Sequence, residues 1–194
     1  MLQKAAYCYL ALCSYRIHYR LGKKDKTKCL EIAFPEYAFH HLAGYHYMTR
    51  DTRFVSKSKA LYNARARQIT AVDFKSSDKY EMIVSRWHSI ALLEEAIRNT
   101  RYVMEYVKGK GPSGSNIRAR FSISYSKDEN IHYYFFDGET DNELVPVSCL
   151  VENAQPYHMG CKRWTVLKIE KQRKDIPNLE IVYCADSYRS DGEI

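Results

Sequence analysis

Gly109-Lys110-Gly111-Pro112-Ser113-Gly114-Ser115 divides the chain into two parts with different hydrophobic periods. Glycine, proline and serine at this density make a flexible loop. Before it, apolar residues recur at helical spacing. Met82, Ile83, Trp87, Ile90, Leu93 and Ile97 build one face of a long helix that Ser77 or Asp78 can cap. After it, apolar and polar residues alternate. Ile117 to Tyr125 places Phe121, Ile123 and Tyr125 on one face, and Ile131 to Phe136 is aromatic and β-branched. Asp137-Gly138 turns that strand into Leu144 to Leu150. Trp164 to Ile169 and Leu179 to Cys184 supply two more strands. Helices first and an antiparallel meander after them define an α+β fold with four to five strands.

The N-terminal part is read in the same way. Leu2, Ala6, Tyr9, Cys13 and Ile17 share helical spacing, which predicts a helix over residues 2–20 ended by Gly22-Lys23-Lys24-Asp25-Lys26. Cys29 to Phe34 is a short strand. Ser56 to Gln68, rich in Lys, Ala and Arg, predicts an exposed basic helix. The expected organisation is an N-terminal helix and linker over 1–28, a single α+β domain over 29–186 and a flexible tail over 187–194. No stretch is apolar enough to cross a bilayer, so no membrane partner is expected.

The chain has 30 Lys and Arg against 23 Asp and Glu, a formal charge of +7, together with 17 tyrosines. A basic surface attracts polyanions, nucleic acid first among them, and tyrosine offers a face for bases and a hydroxyl for phosphates. The six cysteines form no CxxC pair, so buried thiols in a reducing, cytoplasmic compartment are expected. There is no GxxxxGKS loop, GxGxxG fingerprint or GxSxG elbow, and no HExxH follows from His40, His41 and His46. Neither a cofactor nor a metal is expected.

Phe39-His40-His41-Leu42-Ala43-Gly44 carries the most chemistry. Pro35 can open this short helix and Gly44 can close it as a left-handed cap. A histidine at such an end can trade protons near neutrality. The plain alternative is one packed and one capping histidine. With Arg, Lys, Ser and Tyr near strand ends, the set suits RNA cleavage without metal. That reaction needs a base for the 2′-hydroxyl, cations for the developing charge and an acid for the leaving oxygen.

The order of these motifs is itself informative. Phe39 to Gly44 is followed by Ser85-Arg86-Trp87-His88 and Leu92-Leu93-Glu94-Glu95, then Ile117-Arg118-Ala119-Arg120-Phe121. Tyr133-Tyr134-Phe135-Phe136, Val145-Pro146-Val147-Ser148 and Trp164-Thr165-Val166-Leu167-Lys168 complete it. Over roughly residues 30–172 this resembles the fourth family of phage-associated barnase–EndoU–colicin E5/D–RelE-like nucleases. The resemblance implies a curved antiparallel sheet with helices on one face, and an endoribonuclease of toxin or effector type. Its product would be a 2′,3′-cyclic phosphate, its partners RNA (tRNA among the candidates) and an immunity protein or host factor. By motif, it implies His41 as general base or acid with His40 as companion, and site roles for Arg86, Arg118, Ser148 and Lys168. Arg120 stands where the family pattern often has Asp. Lys57, Lys59, Arg65 and Arg67 would track phosphates from the basic helix. Two other functions use the same features: a non-catalytic RNA- or DNA-binding module, and a phage-encoded protein that binds a host factor.

Overall fold

The computed structural model describes residues 1–48, 51–107, 116–152 and 157–189. The Gly109–Ser115 loop and the end of the expected tail, 190–194, lie outside the described residues.

The chain begins with α1 (Leu2–Cys13), but the helix stops there. Residues Tyr15–Lys23 form β1, which turns at Lys24, a residue with φ of 53°, into β2 (Lys26–Ala33). The expected helix over 2–20 is therefore a helix and a strand. The β-rich run Tyr15-Arg16-Ile17-His18-Tyr19 alternates burial, with Ile17, Tyr19 and Leu21 inward. Ile17 fits the helical pattern only because a strand can also present it to the core. Then come α2 (Ala38–Leu42), a 3-10 turn at Tyr45–Tyr47, α3 (Ala60–Arg65) and α4 (Tyr80–Asn99). The basic helix expected over 56–68 is shortened to the six residues of α3. Positive φ at Arg67 marks the turn after it.

Six more strands follow: β3 (Tyr102–Glu105), β4 (Phe121–Lys127), β5 (Asn130–Asp137), β6 (Val145–Glu152), β7 (Lys162–Arg173) and β8 (Leu179–Cys184), with α5 (Asp186–Arg189) closing the chain. The five expected strands are all present. β2 is the short strand expected over 29–34, and with β1 and β3 the sheet has eight strands, not four to five. Its order is β2-β1-β7-β3-β4-β5-β6, every neighbour antiparallel. β7 is the hub. Its residues 165–173 pair with β1, while β3 takes the first part of its other edge and β8 pairs further along. The sheet curves until its ends approach: Leu144 donates to the Glu31 carbonyl at 3.1 Å, and Ala33 to the Leu144 carbonyl at 2.8 Å. This contact is a single parallel bridge, Ile32 with Leu144, so the sheet stays open.

The helices pack on one face of the sheet. Trp87, Ile83, Ile90, Leu93 and Ile97 of α4 are buried there, as the spacing requires. Burying a side chain of this size contributes about 1.5–3 kcal/mol. β5 is buried on both faces. Tyr134 donates its hydroxyl to the Ser89 carbonyl of α4 at 2.8 Å, whereas Tyr133 and Phe135 pack against Tyr106 and Tyr157 on the other face. This explains an aromatic run where simple alternation would have put polar residues.

Candidate active site

A cleft of about 740 Å³ opens between α2, the Tyr45–Tyr47 turn, α4 and the start of β6. Three contacts hold its walls together. Trp87 donates its indole N–H to the Ala43 carbonyl at 2.9 Å, tying α4 to the end of α2. The buried Cys149 thiol on β6 lies 3.7 Å from the Leu42 carbonyl and 3.9 Å from that of Arg86. Gly44, at φ 82°, turns the chain back at the cleft edge. A side chain at Gly44 would be strained in that conformation, and its Cβ would meet Ile83 at 3.0 Å.

His40, His41, Lys57, Arg86, Arg118 and Ser148 all line this cleft. They come from five separate segments, spread over more than a hundred residues. The two histidines differ. His40 is buried and donates Nε2–H to the Phe54 carbonyl at 2.7 Å, which commits that nitrogen to the fold. His41 keeps an open edge to solvent, while one face of its ring is covered by His46, stacked at 3.9 Å between centroids and 13° between planes. Burial against the cleft, and then the Arg86 cation, hold the His41 imidazole down at about 4. It is neutral at pH 7 and able to accept a proton.

Arg86 is the most unusual residue here. It is 4% exposed. One nitrogen, Nη2, donates to the Tyr47 hydroxyl at 3.2 Å. Nε and Nη1 are buried and have no partner among the described residues. The guanidinium sits 5.6 Å from the Tyr47 ring centroid. It makes none of the ion pairs that Glu81, Glu94 or Glu95 could have offered. Glu94 instead takes Lys171 and Arg98, and Glu95 takes Tyr125 and Lys127. A buried cation with two unsatisfied donors is costly by itself and is made whole by an oxyanion.

Lys168 does not join the cleft. It lies in the middle of β7, buried, and pairs with Glu170 at 2.9 Å. A bulge opposite Arg20 and Leu21 shifts the alternation there. Lys59, Arg65 and Arg67 also lie outside it. Arg67 donates Nε–H to Gln3 at 2.9 Å, and the Arg65 carbonyl accepts from Gln3. Of the four, only Lys57 faces the cleft. Arg118 sits just before β4 rather than inside the strand expected from residue 117. Arg120 pairs with Asp141 and donates to the Gly138 carbonyl, away from the cleft. The sequence did not single out Tyr47 and Asp137, which line the cleft, or see that His46 would join it as the partner of His41. Gly44 was the available signal for His46, because a left-handed turn there folds the next residues back onto the preceding helix.

A family model described as phage-Barnase-EndoU-ColicinE5/D-RelE like nuclease4 matches residues 1–189. The chain belongs to this family. No curated protein and no solved structure matches it. The family match extends beyond the motifs at 30–172 to include α1 and β1, the latter pairing with residues 165–173 of the hub strand. Membership makes nucleic acid the substrate class of this nuclease fold. Among the described residues, no helix is long and apolar enough to cross a membrane.

Proposed function

We propose that this nuclease-family chain is a metal-independent endoribonuclease of phage toxin or effector type, which cleaves RNA by attack of the 2′-hydroxyl on the adjacent phosphate. The observation that carries the proposal is the Arg86 guanidinium, buried in the cleft with Nε and Nη1 unpartnered, beside a histidine held neutral. In this reading the phosphate sits against the Arg86 guanidinium, whose charge is not neutralised by any carboxylate among the described residues. His41 removes the 2′-hydroxyl proton. Lys57 and Arg118 add positive charge where the phosphorane forms, and the Ser148 hydroxyl positions the phosphate. The 2′-oxygen bonds to phosphorus, the 5′-oxygen leaves, and a proton from the His41 imidazolium or from solvent completes it. The product is a 2′,3′-cyclic phosphate. Asp137 is the single carboxylate of the described cleft lining, a donor set that suits anion binding better than a metal pair.

The test is cleavage of total RNA by the purified full chain in EDTA, followed by analysis of the ends. Cyclic or 3′-phosphate ends are expected. Loss of cleavage on chelation, or 5′-phosphate ends, contradicts the mechanism.

A further inference from the structure

His46 lines the same cleft and has no part in the reaction just described. Its place follows from the backbone. Gly44 reverses the chain, so a residue five positions after His41 returns to face it. The two rings are nearly parallel, 3.9 Å apart, and the far side of His46 rests on Tyr47 at 3.9 Å and 42°. Tyr47 in turn accepts the Arg86 hydrogen bond and lies 5.1 Å from the Lys79 ammonium. The stack thus runs from the histidine that takes the proton to the guanidinium that seats the phosphate.

We propose that His46 is a positioning residue for His41: its ring is the platform that sets the plane of the His41 imidazole and shields one of its faces from water. This rests on His41 being the base. The chemistry of His46 itself favours a platform over a proton carrier. Its Nδ1 is buried and without a partner among the described residues. Burial, followed by His41 and Arg86, pushes its imidazole down to about 3, so it remains a neutral, flat ring through the working pH range. The charged and titratable groups around the pair are His40 on α2, Lys57, Arg86 on α4, Arg118 and Asp137, with Lys79 behind Tyr47. Arg86, His40 and Lys57 oppose protonation of His41. Removing the platform opens its ring to water and relieves the burial that is the largest cause of its depressed midpoint.

The experiment is an NMR titration of the His41 ring in the full chain, alongside the pH dependence of kcat/KM on RNA, for wild type, His46→Ala and His46→Phe. In His46→Ala the His41 midpoint rises from about 4 toward 6.5, by about one pH unit or more, and the acid limb of kcat/KM moves with it. His46→Phe keeps the stack, holds the wild-type midpoint and stays within about threefold of wild-type activity. An unchanged His41 titration in folded His46→Ala overturns the proposal. So does a folded His46→Phe protein that loses cleavage, which would make His46 a proton carrier. Where His46→Ala fails to fold, the His46→Phe result decides. A wild-type protein without RNase activity would refute the nuclease mechanism, while the titration would still decide the platform.

Discussion

Arg86 and Lys168 are both buried cations in regular elements, at 4% and 8% exposure, and their surroundings differ completely. Lys168 on β7 has its counter-charge two residues along the same strand, at 2.9 Å on Glu170. Arg86 on α4 has a phenol on one nitrogen and, among the described residues, no partner on the other two buried ones. A cation whose partner the fold supplies serves the fold. A cation whose partner is left out costs stability until something from outside arrives. That difference separates a strand interior from a binding site more sharply than residue type or charge count does.

The comparison can be broken most directly by removing each cation. Arg86→Met should lower kcat/KM on RNA by about 10²–10³, the usual loss when one oxyanion donor is removed. Its melting temperature should hold or rise, because an unpaired buried charge is gone. Lys168→Met should do the reverse. It leaves the half-buried Glu170 carboxylate without this partner, so stability in urea falls by about 1–3 kcal/mol while kcat/KM stays at the wild-type value. An Arg86→Met protein that is active and unstable would erase the distinction.

A smaller effect separates two histidines. His41 and His158 both have midpoints near 4 in the fold, against an ordinary 6.5. The unfolded chain therefore binds these protons first as pH falls. Their contribution to stability is present above about 6.5 and is lost as pH drops toward 4. The two differ in what they face. His158 is bonded to the Ser122 hydroxyl at 3.0 Å on the far side of the sheet, whereas His41 faces the cleft. Inorganic phosphate at Arg86 should raise the NMR midpoint of His41, since an anion favours the imidazolium, and leave that of His158 unchanged. Equal shifts at both histidines would mean that the anion binds elsewhere.

Much of the fold was legible because the periods are strong. The α4 face and the five strands after residue 115 follow from spacing alone. β1 was not, since Ile17 sits at a position that continues the helical pattern of Leu2, Ala6, Tyr9 and Cys13, and Gly22 to Lys26 looks like a helix stop although it is a hairpin turn. β3 was lost in the approach to the loop, where four residues are too few for alternation to register. In the site, motif order named His41, Arg86, Arg118 and Ser148, all of which line the same cleft. It also brought in Lys168, because a basic residue after Val166-Leu167 looks like a strand end when only the first half of a twelve-residue strand is recognised. The stacking of His46 on His41 was missed because it depends on one dihedral angle, the positive φ of Gly44. Whether Arg86 would be paired was equally hidden. Three nearby glutamates in the sequence could have neutralised it, and only packing shows that Glu94 and Glu95 are committed to other cations.

The measurement that bears most directly on the cleft as the catalytic centre compares His41→Ala with His40→Ala for RNA cleavage in EDTA, with melting temperatures taken on the same preparations. The two residues are adjacent, and the fold uses them oppositely: His40 donates to the Phe54 carbonyl, and His41 faces the cleft. His41→Ala should lose about 10²–10⁴ in rate and melt near the wild-type temperature. His40→Ala should keep more of its activity and lose about 1–3 kcal/mol of stability, because the Phe54 carbonyl is left unsatisfied. A folded, fully active His41→Ala protein would contradict the account and leave the cleft as a binding surface without chemistry.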